Sequence, residues 1–245
     1  MNFRIAAPAS PETPDAALEH ALDRRRQRVR STQLERVLSR SRQQLAIAFG
    51  LALLLWITHW WLSGQINTLV WAATVHGTQA AQALIARAFQ RRGRAALADS
   101  TVWLTRYLVA LTASAVAWGS AAFLVLPQEP SVHLICLWVV ALFAMAGAGA
   151  YVVAAVRSAI YLWVLPILAP LAVMMLMQRG PLQTTFGLLT LAFTAMVLVF
   201  AHAQYRLLQT ALRTKLDNDA LVRALRQQVV LVEDADREKS RFLAS

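Results

Sequence analysis

The chain has 245 residues, 58% of them hydrophobic and only 15% charged, where an ordinary soluble domain carries about a quarter charged residues. The apolar residues lie in blocks between Leu45 and Tyr205 with the charges outside or between them, which excludes a disordered chain and argues against a soluble globular enzyme. The formal net charge is +11, from 24 Lys+Arg against 13 Asp+Glu; in a membrane chain such an excess marks cytoplasmic loops rather than nucleic acid, so no nucleic-acid partner is expected.

Residues 1–44 read as a basic cytoplasmic tail, partly helical. Ala6 to Pro14 holds three prolines and no periodicity. A helix start follows, with Thr13 as N-cap, Pro14 at the first helical position and Asp15 beside the positive end of the dipole. The run Arg24, Arg25, Arg26, Arg28 and Arg30 is either a solvated face with a role in topology or a surface attracted to anionic headgroups. No cleavable signal peptide is visible, because the first apolar run begins only at Leu45.

Six apolar segments follow, at Leu45–Leu62, about Ile66–Ala86, Val102–Leu126, Ser131–Val156, Ala159–Met177 and Thr184–Tyr205. Each has a length that can span a bilayer, roughly 17–25 residues at about 1.5 Å rise each; the second is the least apolar. The fold class is therefore an all-α integral membrane protein. It comprises a six-helix transmembrane bundle over residues 45–205 and a long cytoplasmic C-terminal helix over 206–245. Trp60-Trp61 reads as an interfacial aromatic pair.

Arginine sets the orientation. The N-terminal tail carries nine, the connector after the second segment Arg87, Arg91, Arg92 and Arg94, and the connector after the fourth Arg157. Beyond the sixth come Arg206, Arg213 and Lys215. The alternate connectors, Ser63-Gly64-Gln65, Pro127 to Pro130, and Gln178 to Leu182, hold only Arg179. Both termini are thus expected in the cytoplasm. The outer loops are too short for a ligand-binding domain, so a stimulus has to be read in the membrane, at its surface or through the bilayer.

Pro166 and Pro170 are expected to kink the fifth segment. Small residues such as Ala110, Ser114, Ala117 and Ala121 suit close helix packing. Past Arg206 a heptad frame has Asn218, Leu225, Val232 and Lys239 in one seam and Leu221, Gln228, Ala235 and Phe242 in the other. That mixture predicts a weak, adjustable two-helix coiled coil and a homodimer.

Chemistry-bearing residues are few. Cys136 is the lone cysteine, and the five histidines (His20, His59, His76, His133, His202) lack metal-site spacing, so no metal is expected. His59 and His133 read as outer interfacial residues and His202 as an inner one. His76, Gln79 and Gln82 fall three apart on the second segment and share a helix face. Polar groups are costly against lipid, so this face should look into the bundle, as cross-helix hydrogen bonding or as a pocket for a small amphipathic signal. These three and His202 are the candidate sensing residues. No phosphate loop, triad or paired carboxylate is present in the spans, so the segment is expected to hold no catalytic residue and no cofactor. The absence of intramembrane carboxylates counts against transport.

The last residues, Glu238-Lys239-Ser240-Arg241-Phe242-Leu243-Ala244-Ser245, resemble the lead-in to the phosphoacceptor box of membrane-bound bacterial sensor (hybrid-type) histidine kinases. In that family such a run precedes a Ser-His-Glu/Asp box whose His is phosphorylated. Lys215 to Val222 and Ala117-Trp118-Gly119 also look like parts of such sensors. The resemblance implies the sensor half of a kinase in the bacterial inner membrane, with the phosphoacceptor His just past Ser245. It further implies ATP and Mg in a kinase core that follows, and a response regulator or receiver domain as partner. A sensor feeding another output, such as a cyclic-dinucleotide synthase, and a small transporter or scaffold are the other readings.

Overall fold

The computed structural model describes residues 44–92, 99–126, 131–178 and 180–243. The expected helix start at Thr13, the arginine run 24–30, Arg94, the Pro127 to Pro130 connector and Arg179 lie outside them. All described elements are helices: α1 Gln44–Ser63, α2 Ile66–Arg92, α3 Ser100–Gly119, α4 Ala121–Leu124, α5 Val132–Val153, α6 Arg157–Met177 and α7 Pro181–Leu243.

Five stretches are long and apolar enough to cross a membrane: α1, α3 with α4, α5, α6 and the apolar part of α7. Helix α2 has the length, 27 residues, but its polar residues keep it out of that set. The outer surfaces are apolar as well. Val109, Val140, Val199 and Phe200 are each more than 60% exposed, an apolar surface of the kind that a lipid environment covers.

Local chemistry explains the boundaries. Helix α1 stops at Ser63 because Gly64 takes φ 65°, a left-handed conformation that glycine adopts without a Cβ clash. The Gly64 N–H closes back on the Trp60 carbonyl at 2.8 Å and the Ser63 hydroxyl donates to the His59 carbonyl at 2.8 Å. The third apolar segment, read from sequence as one span, is one apolar stretch from Ser100 to Leu124. At Ser120 the backbone stays in the right-handed helical region, the hydroxyl donates to the Ala117 carbonyl at 2.7 Å, and four-residue bonds to Val116 and from Leu124 carry the helix across the junction of α3 and α4. Thr112, Thr190 and Thr194 each donate to a carbonyl four residues earlier, so their hydroxyls carry no penalty in an apolar setting.

Helix α6 is the centre of the bundle, packed against α3, α5 and α7. Ile160, Trp163, Ile167, Leu168 and Leu171 on it are buried. Glycines let it sit close: a Cβ on Gly119 would overlap the Pro166 carbonyl and one on Gly149 would overlap the Trp163 indole. The indole N–H of Trp163 donates to the Met145 carbonyl at 3.3 Å. Both Pro166 and Pro170 lie inside the continuous α6.

The final helix runs 63 residues from Pro181 to Leu243. Its first half packs on α6 and α5. Beyond Leu212 the described side chains project from the bundle.

Candidate functional site

Two polar layers lie inside the bundle. The first is the face read from sequence. Helical spacing stacks Trp71, Val75, Gln79, Ala86 and Phe89 on the buried side of α2, and Gln79 is only 4% exposed. His76 Nδ1 lies 3.3 Å from Gln79 Oε1; because the amide oxygen accepts, the ring donates from Nδ1. Phe49 of α1 packs on the His76 ring at 4.5 Å between centroids. Gln82 Nε2 donates to the Ala110 carbonyl of α3 at 3.1 Å, tying α2 to α3. His76 Nε2 and Gln79 Nε2 are buried with no partner among the described residues. Side by side, they give this layer unused hydrogen-bonding capacity, one amide donor and one imidazole acceptor.

Sequence reasoning missed the second layer. His59 is fully buried rather than interfacial, and the Trp138 indole donates to its Nδ1 at 2.9 Å. An indole N–H can only donate, so His59 Nδ1 accepts and its ring proton sits on Nε2. Trp71 packs edge-on against both Trp118 and Trp138, at 5.3 and 4.7 Å between centroids and close to perpendicular. All three indoles are fully buried. The layer joins α1, α2, α3 and α5 at one height, so a shift of any one of these helices is felt by the others. Its sequence signal is the tryptophans Trp71, Trp118 and Trp138 on α2, α3 and α5, residues equally suited to interfacial anchoring.

The remaining candidates are dispersed. His202 on α7 is half-buried, its ring 6.1 Å from that of Tyr205. The backbone of Lys239, Ser240, Arg241, Phe242 and Leu243 belongs to α7, but their side chains lie outside the described residues. At the opposite end from the Gly64 turn, Arg92 and Arg106 flank the Trp103 ring at 5.8 and 5.2 Å, and Phe89 packs on it at 5.7 Å. Among the described residues no three His, Cys, Asp or Glu side chains converge on a metal-sized site.

No protein-family model, curated protein or solved structure matches the chain.

Proposed function

We propose that the chain is the transmembrane input region of a bacterial sensor histidine kinase, reading a signal in or at the inner membrane and passing it along α7 to a kinase core. One observation carries this reading. The last apolar segment and the kinase-like run as far as Leu243 belong to a single 63-residue helix, so a displacement inside the bundle has an unbroken lever toward the output side.

In this reading α2 is a sixth crossing, its polar face shielded by the bundle, and both termini are cytoplasmic, as the arginine asymmetry supports. The layer of His76, Gln79 and Gln82 is the sensing element, with His202 near the exit of α7. The stalk dimerises through the seam residues Leu221, Leu225 and Val232, each at least 60% exposed on the single chain. Those positions recur at coiled-coil spacing. The kinase core that follows supplies the phosphoacceptor His, binds ATP and Mg, and passes the phosphoryl group to a response regulator or receiver domain.

The coding sequence past Ser245 and an autophosphorylation assay of its product test the proposal. A Ser-His-Glu/Asp box within a few residues, and loss of ATP-derived label when that His is replaced, are expected. A cyclic-dinucleotide synthase in its place would keep the input role and replace the output. Solute flux through liposomes holding only this chain would instead mark a transporter.

A further inference from the structure

At the end of the bundle away from the Gly64 turn, the start of α6 and the exit of α7 enclose an open cleft of about 480 Å³, lined by Val156, Arg157, Ser158, Tyr161 and Tyr205. We propose that it seats the phosphate of an anionic phospholipid headgroup.

The lining is chemically one-sided. Arg157 offers a planar fork of donors suited to two phosphate oxygens, and the hydroxyls of Ser158, Tyr161 and Tyr205 can all donate alongside it. From Ser131 to Leu216 the chain has no acidic residue, so no carboxylate in that stretch competes for the guanidinium or offers a counterion to a cationic ligand. The N-cap of α6 is Val156, which has no side-chain oxygen and makes no capping bond, so the first amides of α6 add to the same polarity. With the apolar helices in a bilayer, the cleft would stand at headgroup height. Val199 and Phe200 on α7 are 68% and 65% exposed and suited to acyl chains, while Arg206 and Arg213 follow about two and four turns later. Tyrosines favour that boundary. Binding here does not require that the chain feed a kinase, only that its apolar helices lie in a bilayer.

The test is direct. The full chain in detergent is titrated with phosphatidylglycerol or phosphatidylcholine, and retained lipid is counted by native mass spectrometry. Phosphatidylglycerol should bind the more tightly. Arg157→Gln should weaken it by about tenfold or more, the scale of a charge-assisted hydrogen bond. Arg213→Gln removes the same charge about two turns beyond the cleft and should change binding by less than about threefold, as expected of a screened surface charge. The Tyr161→Phe/Tyr205→Phe pair should weaken binding with the charge intact, and it carries the test if Arg157→Gln does not fold. Equal losses in Arg157→Gln and Arg213→Gln, unchanged binding in the tyrosine pair, or preference for phosphatidylcholine would overturn the proposal. Displacement of the lipid by millimolar inorganic phosphate would reassign the cleft to the free anion, and persistence of the lipid supports the headgroup.

Discussion

Gly119 lies against the backbone carbonyl of Pro166, and that carbonyl is the one whose helical donor would be the N–H of residue 170, which as proline has none. Pro170 thus leaves the Pro166 carbonyl as a free acceptor on α6, where the Cβ-less position of α3 closes on it. Gly119→Ala should therefore cost about 1–3 kcal/mol, the usual penalty of overpacking. Gly147→Ala is the matched control, since its Cβ would meet only Phe193 at 3.8 Å, an ordinary contact. Thermal unfolding in detergent, followed by circular dichroism, should separate the two. Equal midpoints would show that α3 and α6 do not need this approach.

The bond from Trp138 to His59 Nδ1 links α5 to α1 across a fully buried layer. Removing the indole leaves a buried acceptor short of its donor, at a cost of about 1–3 kcal/mol. Trp138→Phe also changes packing against Trp71, so single substitutions confound the two effects. A double-mutant cycle with His59→Leu isolates the bond. A coupling of about 1 kcal/mol is expected. If the two substitutions are additive, the layer is held by aromatic packing alone.

The sequence made the helices legible and left their rotations obscure. The fourth segment was read as Ser131–Val156 and α5 is Val132–Val153; the fifth was read as Ala159–Met177 and α6 is Arg157–Met177. Length and loop charge set such boundaries, and both are printed in the sequence. Which face looks inward is another matter, because lipid is as apolar as a protein core and the hydrophobic pattern barely distinguishes them. Only α2, with polar residues at a three-residue spacing, announced a face, and Gln79 is buried on it. His59 was read as interfacial because its partner Trp138 is 79 residues away, a pairing that no local pattern encodes. The Gly119–Pro166 approach was hidden for the same reason, although both residues were conspicuous in their own segments.

On the polar face of α2, Gln82→Leu and Gln79→Leu should differ in sign or size. Gln82 makes a bond to the Ala110 carbonyl, and measured intramembrane hydrogen bonds average about 0.6 kcal/mol, so its loss should destabilise by about that amount. Gln79 is buried with its Nε2 unpartnered, but its Oε1 accepts from His76 Nδ1, so Gln79→Leu leaves that ring N–H without its acceptor and should destabilise by about 1–3 kcal/mol, whereas His76→Leu/Gln79→Leu removes both partners and should be close to neutral. If the layer senses a ligand, the double variant His76→Leu/Gln79→Leu should nonetheless abolish the response while leaving stability intact. A full response with Gln79→Leu and His76→Leu would remove the layer from the sensing role.

Whether α2 crosses the bilayer can be read from its two ends. Single cysteines at Ile66 and Gln90, both exposed, in a Cys136→Ala background should react with an impermeant maleimide from opposite sides. Gly64 is avoided because its positive φ would strain any side chain. Modification of both from one side would leave five crossings and put the two termini on opposite faces of the membrane.

If the chain is the input region of a sensor kinase, the long α7 makes a periodic claim on how a signal leaves the membrane. Its apolar stripe of Leu221, Leu225 and Val232 is exposed on the single chain, and Asn218 and Gln228 interrupt the heptad seams. Two such helices would pair only weakly, which leaves two arrangements close in energy, as a switch requires. A movement of the layer that joins α1, α2, α3 and α5 would then reach the stalk as a rotation or slide of α7. Seven residues inserted after Arg226 advance the seam by a whole heptad and should keep output regulated, measured as stimulus-dependent autophosphorylation of the kinase fused behind the stalk. One to three inserted residues turn everything beyond them by about 100° each and should lock activity high or low. Regulation that survives every insert length would mean that α7 is a passive tether, and the signal would have to leave the bundle by another route.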